Sequence, residues 1–291
     1  VQTKAVQLNF HRCDGSTWQK TTLAKGSSYS LPGVRDAEGY TFMGWSTKPM
    51  QSVSPQYEAE EKITVNGNVD LYAVVFNRTT ETDLTEDQLP QVDIYKYKQV
   101  IFVGDSRTEF MENVLTGMGE SATKNVKFVC SAGKGLDWFT TTGWAQLYSI
   151  VQHDSNSILS KKTAVIFNFG VNDLSKSADY AEYYNWIAPQ LKSKGCELYF
   201  MSVNPVNRLM LPNAGRADRS EAAVRSFNQY MKANLSSAYT YIDMYSYLKS
   251  TGYSFASDHY GTGTVDDGLH YTTRTYKRIF AKCMDSLRVP A

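Results

Sequence analysis

Ser106, His270 and Asp267 are the residue types of a nucleophile, a general base and a carboxylate that orients the base. Ser106 follows four apolar residues, Val100–Val103, with the length and composition of a strand buried on both faces. The chain then turns through Gly104-Asp105 and enters a helical stretch at Ser106. A serine placed there has its hydroxyl at the sheet edge and its backbone N–H outside the helix's own hydrogen bonds. An ordinary N-cap occupies the same kind of position, so Ser106 alone decides nothing. Far downstream, Asp267 and His270 are spaced i to i+3, close enough for the carboxylate to hold one ring nitrogen while the other faces a partner. Asp266 is the rival carboxylate, but that spacing favours Asp267.

Two glycine-containing segments lie between these halves. Ser131-Ala132-Gly133 follows the apolar run Val126–Cys130, and Gly170-Val171-Asn172-Asp173 follows Ala164–Phe169. Both come just after predicted strands, where an open α/β sheet gathers its site residues. In order, Gly104-Asp105-Ser106, Gly133, Gly170-x-Asn172-Asp173 and Asp267-x-x-His270 resemble the blocks of the SGNH (GDSL-type) hydrolases, over roughly Lys98 to Leu287.

That resemblance implies an α/β chain with a flavodoxin-like, three-layer α/β/α sheet in strand order 2-1-3-4-5. It also implies an esterase in which Ser106 attacks the carbonyl, His270 moves the proton and Asp267 holds the imidazole. The backbone N–H groups of Ser106 and Gly133 and the side-chain amide of Asn172 fall on the family's oxyanion positions. Donors of this kind matter because removing one typically costs about 100- to 1000-fold in rate. No cofactor and no metal is expected, and His11, His153 and His259 lack metal-like grouping, which reads as structural or surface histidine. Asp105 is expected to be an architectural acceptor, and Asp173 to fix a turn.

The chain departs from the family pattern at two places. Ser131 stands where an asparagine is usual, and Arg107 stands where an apolar residue is usual. Arg107 either contacts an anionic or hydroxyl group of the substrate or folds into a salt bridge with Glu109 or Glu112. The segment Asn204–Ala217 is read as a pocket-shaping loop, with Asn204, Asn207 and Arg208 as candidate substrate contacts. Tyr253–Val265 is read as a pocket wall.

The elements that must position these residues start near Tyr97, where strands begin to alternate with helical stretches, the pattern of a parallel sheet. Strands are expected at Val100–Val103, Val126–Cys130, Ala164–Phe169, Glu197–Val203 and Thr240–Asp243. Helices are expected near Arg107–Thr116, Leu136–Val151, Tyr180–Lys194, Arg219–Leu235 and Thr273–Leu287, with Gly195 as a C-cap. This domain spans 97–291. Residues 79–96 are polar and acidic with Pro90 and read as a linker, in which Thr85-x-x-Gln88 can cap a short helix.

Residues 1–78 alternate in short strand-like segments, such as Val6–Phe10, with turns at Asp14-Gly15 and Asn66-Gly67. The run Gly39–Ser46 (GYTFMGWS), Leu31-Pro32 upstream and Leu71-Tyr72-Ala73 at the end resemble a Listeria–Bacteroides (internalin B-type) repeat. That implies a small, mainly β, β-grasp-like domain with Tyr40 and Trp45 in its core. It also implies a secreted or wall-attached bacterial protein. The domain then serves as a spacer or binds a glycan or protein through exposed aromatic rings.

Composition excludes little. The 291 residues carry 30 Lys plus Arg against 29 Asp plus Glu, so no overall field favours nucleic acid or an anionic membrane. No apolar run approaches the roughly 20 residues needed to span a bilayer. The opening VQTKAVQLNF does not resemble a signal peptide and starts on a strand-like pattern, as a mature or trimmed chain would. Cys13, Cys130, Cys196 and Cys283 show no metal spacing, and the strand-flanking Cys130 and Cys196 read as buried free thiols. The triad, the oxyanion set and the two family resemblances, with the aromatic-rich composition, point to a secreted serine esterase that removes acetyl or other small acyl groups from small molecules, carbohydrate or cell-wall glycan. An acyltransferase to sugar hydroxyls, or a non-catalytic surface binding protein, would share most of them.

Overall fold

The computed structural model describes residues 4–94, 96–152, 162–256 and 265–287. His153, His259 and most of the expected wall after Ala256 lie outside them.

The first part of the chain forms β1 (Ala5–His11), β2 (Thr17–Ala24), β3 (Ser27–Ser30), β4 (Tyr40–Ser46), β5 (Lys62–Val65) and β6 (Val69–Asn77). Four of these make a mixed sheet in the order β2-β1-β6-β4, and β3 pairs with β5 as a separate ribbon. Alternation in β1 puts Val6, Leu8 and Phe10 on one face, where they pack with Leu31, Phe42, Trp45 and Leu71. Trp45 is fully buried and its indole N–H donates to Pro32 O at 2.8 Å. Tyr40 is not a core residue. It opens β4 with 43% of its surface exposed, ahead of six residues of the strand that are all buried.

The second part holds β7 (Tyr97–Gly104), β8 (Val126–Cys130), β9 (Lys162–Asn168), β10 (Cys196–Met201) and β11 (Tyr239–Ile242). These pair in parallel in the order β11-β10-β9-β7-β8, the expected 2-1-3-4-5 sheet. Period-two alternation divides β7 between two cores: Val100 and Phe102 face one side, Ile101 and Val103 the other. Helices α1 (Ser106–Met118), α2 (Glu120–Thr123), α3 (Leu136–Trp138), α4 (Trp144–Gln152), α5 (Ser177–Ser193), α6 (Glu221–Asn234), α7 (Met244–Thr251) and α8 (Thr273–Ser286) complete the layers. Helices α1 and α8 pack together, as do α5 and α6. The expected single helix at 136–151 is instead split by a π-turn at Phe139–Gly143, where three threonines and a glycine offer weak helix propensity. Helices α2 and α7 were not expected from the sequence.

The polar segment 79–96 is not a free linker. Glu81 is buried and accepts from Ser254 Oγ at 2.6 Å and Arg278 Nη1 at 2.9 Å, and also from Thr275 Oγ1. Leu89 and Val92 join the hydrophobic core of the second domain. Thr85 and Gln88 do form the capping box. A polar run can be buried when each charge finds a partner, and composition does not reveal such partners. The first domain is docked as well: Met43, Val74 and Phe76 pack into that same core, and buried Lys249 of α7 donates to Met43 O at 2.9 Å.

Replacing Glu81 with alanine strands a buried guanidinium, so the protein should lose about 3–5 kcal/mol of stability in urea unfolding. A loss within about 0.5 kcal/mol would restore the view of this segment as a solvated linker.

Candidate active site

Helix α1 starts because Asp105 caps it, its carboxylate accepting from Arg107 N at 3.0 Å. That cap places Ser106 at the end of the central strand β7, at the first helical position. The backbone N–H of Ser106 has no partner among the described residues. Asp105 is completely buried, and burial pushes its carboxyl up to about 6 against the pull of the Arg107 charge.

His270 comes to Ser106 from the other end of the domain. Its Nε2 lies 2.9 Å from Ser106 Oγ, and its Nδ1 lies 2.7 Å from Asp267 Oδ2. Asp267 has no exposed surface, and its Oδ1 accepts the backbone N–H groups of Leu269 at 2.9 Å and His270 at 2.8 Å. Burial alone would raise the Asp267 carboxyl, but the His270 hydrogen bond and these N–H donors hold it below the ordinary carboxylate value. For His270 burial is the dominant influence and lowers the imidazole below its ordinary value. Asp267 opposes that shift, and the Arg107 and Arg216 charges add to it. Phe110 lies against the imidazole with ring centroids 4.3 Å apart.

A cleft of about 370 Å³ opens over Ser106 and His270 and is also lined by Phe110, Gly133, Asn172, Arg216 and Leu269. Gly133 adopts φ +71, a left-handed conformation that favours glycine, and its N–H also has no described partner. Its loop is tied down by Glu109, which accepts from Ala132 N at 2.7 Å. Asp173 holds the same region by accepting from Leu136 N at 2.9 Å and Tyr180 Oη at 2.7 Å. Asn172 donates from Nδ2 to Lys134 O at 2.8 Å, and its Oδ1 accepts from Arg219 Nη2 at 2.8 Å. Ser106, His270, Asp267, Gly133 and Asn172 are therefore all gathered at one end of the sheet.

Arg107 and Asn204 do not face the cleft. Arg107 is 2% exposed, and its guanidinium donates to Leu269 O at 3.0 Å, Asn204 O at 3.0 Å and Pro205 O at 2.9 Å. It is neither a substrate contact nor a salt bridge to Glu109 or Glu112; it braces two loops through their carbonyls. Asn204 is buried, and neither atom of its side-chain amide has a described partner. Asn207 donates to Val34 O and Asp36, while Arg208 pairs with Asp218 and Glu60, so both bind protein groups.

Two arginines of the site were not singled out from the sequence. Arg216 Nε lies 3.1 Å from Asp267 Oδ2, and Arg219 grips Val171 O, Ala217 O and Asn172. The only sequence signal was their place in or beside the loop after the fourth strand. A set of long-range carbonyl and carboxylate contacts has no spacing to read.

Among the described residues no helix is long and apolar enough to cross a membrane, and no cluster of His, Cys, Asp and Glu could hold a metal. Cys13 is exposed, Cys130 half-buried, and Cys196 and Cys283 buried, with no disulfide among the described residues.

Replacing Arg107 with alanine leaves the Leu269 and Asn204 carbonyls without a donor, while Pro205 O keeps Tyr271 Oη at 2.6 Å, and about 3 kcal/mol of stability should be lost in urea unfolding. Lysine at 107 should recover only a fraction, because one ammonium does not reproduce the planar fork. A stable R107A protein with selectively raised KM would return this residue to the substrate.

Comparison with known proteins bears on this geometry. Residues 7–74 match the Listeria–Bacteroides repeat domain, and residues 100–283 match the GDSL-like lipase/acylhydrolase family. No curated protein matches the chain. Among solved structures, an SGNH-hydrolase candidate from Slackia heliotrinireducens is 13% identical, with TM-score 0.46, covering 66% of this chain and all of its own. The acetyl xylan esterase AlAXEase is 12% identical with TM-score 0.43, again covering 66% of this chain and all of its own. A Bacillus subtilis protein, YXIM, is 13% identical with TM-score 0.41 and covers 98% of both chains. With its family match running over most of the second domain and its first domain matched separately, the chain belongs to the GDSL-like lipase/acylhydrolase family and is a serine ester hydrolase.

Proposed function

We propose that this protein removes small acyl groups, acetyl above all, from carbohydrate or cell-wall glycan at or outside the bacterial cell surface. The observation that carries the reading is the unbroken hydrogen-bonded line from Ser106 Oγ through both ring nitrogens of His270 to Asp267.

In this mechanism neutral His270 takes the proton of Ser106 as Oγ attacks the ester carbonyl. The tetrahedral oxyanion is met by the N–H groups of Ser106 and Gly133 and by Asn172 Nδ2. An asparagine amide has two hydrogens, and the bond to Lys134 O uses one of them. Imidazolium then passes its proton to the leaving alkoxide, which departs as the alcohol and leaves an acyl-serine. Water, deprotonated by His270, attacks the acyl carbonyl, and the return of that proton to Oγ releases the acid. Asp267 steadies the imidazolium at both stages without itself becoming protonated. Close walls at Phe110 and Leu269 and the near-complete burial of Ser106 favour a short acyl group. The repeat family of the first domain supports the surface location.

The test is hydrolysis of acetyl, butyryl, longer-chain and feruloyl esters, including acetylated sugars, by wild type and Ser106→Ala. The S106A variant should lose at least about a thousandfold in kcat/KM, and a fluorophosphonate should label wild type only. Acetyl transfer to an added sugar outpacing acetate release would convert the reading to an acyltransferase. Because His270 must be neutral to act and its burial disfavours the charged form, the acid limb of kcat/KM should lie below pH 6.5. A limb well above that value would mean that His270 is not the base.

A further inference from the structure

We propose that Arg216 selects esters whose alcohol portion carries an anionic group, a carboxylate above all, as in a uronic acid. The inference deepens the esterase reading and rests on Ser106 and His270 being the reacting pair.

Two arginines and no carboxylate line the cleft among the described residues, with Asp267 buried behind His270. They differ in what remains free. The Arg219 guanidinium is committed at all three nitrogens, to Val171 O, Ala217 O and Asn172 Oδ1. Arg216 uses only Nε, on Asp267, while Nη1 and Nη2 have no partner among the described residues. Its side chain is 33% exposed, so those donors remain open to a ligand. The arm carrying it is fixed: a short helical turn at Leu211–Ala214 ends at Gly215 with φ +62, and Arg216 N donates to Leu211 O at 3.0 Å.

Asp267 does not require this cation, since His270 and two backbone N–H groups already serve its oxygens. Although paired through Nε with Asp267, the Arg216 charge still opposes the imidazolium that must form on His270 during the reaction. A substrate anion bridging Nη1 and Nη2 would remove that opposition while accepting two charge-assisted hydrogen bonds. Arg216 stands at the carboxylate partner of His270, its Nε 3.1 Å from Asp267 Oδ2. His270 hands its proton to the leaving alkoxide, so the group within reach of Arg216 belongs to the alcohol half of the ester.

The experiment compares acetate release from acetylated methyl glucuronoside and acetylated methyl glucoside, which differ at C6 as carboxylate and hydroxymethyl. Wild type should favour the uronate by about tenfold to a hundredfold in kcat/KM, and the preference should shrink as salt rises. In Arg216→Ala and Arg216→Gln the ratio should fall to about one, and Arg216→Lys should keep part of it. A ratio near one in wild type, or a preference that survives R216A, overturns the proposal. So does an equal loss on both substrates, which would leave Arg216 as a positioning residue for Asp267 only. If R216A does not fold, the salt dependence of wild type and the R216K ratio decide. Ser106-independent release, or no release from either sugar, would instead bring down the esterase reading beneath it.

Discussion

The five-residue loop Asp266–His270 must be held still, because a histidine that swings cannot serve a serine on the far end of the chain. Its backbone is gripped from several sides. Arg107 donates to Leu269 O, Asn207 N donates to Gly268 O at 2.8 Å, and Asn213 Nδ2 donates to Asp266 O at 2.9 Å. Gly268 takes φ +65, and a Cβ there would collide with Asn207 O, so the fit of these loops depends on glycine. The remaining hold comes from the first domain: Arg78 pairs with Asp266, with Asp36 at 2.7 Å, and donates from Nε to Thr41 Oγ1 at 2.9 Å. Asp36 in turn accepts from Asn207 at 2.8 Å. The β domain therefore bears directly on the residue beside Asp267.

That dependence explains why so many charges are buried where the two domains meet. Lys249 lies between Glu221 at 3.0 Å and Glu58 at 2.9 Å, and Arg225 Nη1 donates to Ala59 O at 2.9 Å. Buried pairs of this kind add little net stability over apolar packing, since desolvation offsets most of the attraction. What they supply is a unique register, because any sliding of one domain on the other leaves a charge unpaired in a dry site.

What was legible in the sequence follows from the same physics. The central strands of a parallel sheet are buried on both faces, so β7 and β9 appear as apolar runs whose ends place Ser106 and Asn172, while the edge strand β8, with Lys127 exposed, shows mainly through its Val and Phe residues before Gly133. Asp267 and His270 are near each other in sequence, so their bond could be read from spacing. Arg107 could not be read this way. The acidic residues on its own helix were plausible partners, whereas its actual partners are carbonyls brought by loops at 204–205 and 269. Tyr40 misled because it opens a strand whose next residues are all buried. The segment 79–96 misled because polarity marks solvent only when the charges lack buried partners, and the partners here, Arg278 and Lys277, lie far along the chain. Arg216 left no trace beyond its place in the loop after the fourth strand, since a surface-loop arginine looks the same whether or not it meets a carboxylate.

The carboxylates around the nucleophile raise a last physical question. Asp105, Glu109, Asp173 and Asp267 surround a spot where negative charge is expected to develop, and bare carboxylates there would oppose it. Each has an oxygen engaged by backbone N–H: Arg107 N for Asp105, Ala132 N for Glu109, Leu136 N for Asp173, and Leu269 N and His270 N for Asp267. Arg107 and Arg219 add two fixed cations whose donors are turned to protein carbonyls and to the Asn172 amide oxygen. The negative charges thus serve to fix the loops, with their fields partly cancelled by the dipoles and cations they hold. Oriented dipoles of this kind need no reorganisation when charge appears on the substrate. The acids of this site are better understood as its scaffolding, which fits the role proposed for His270 in moving the proton.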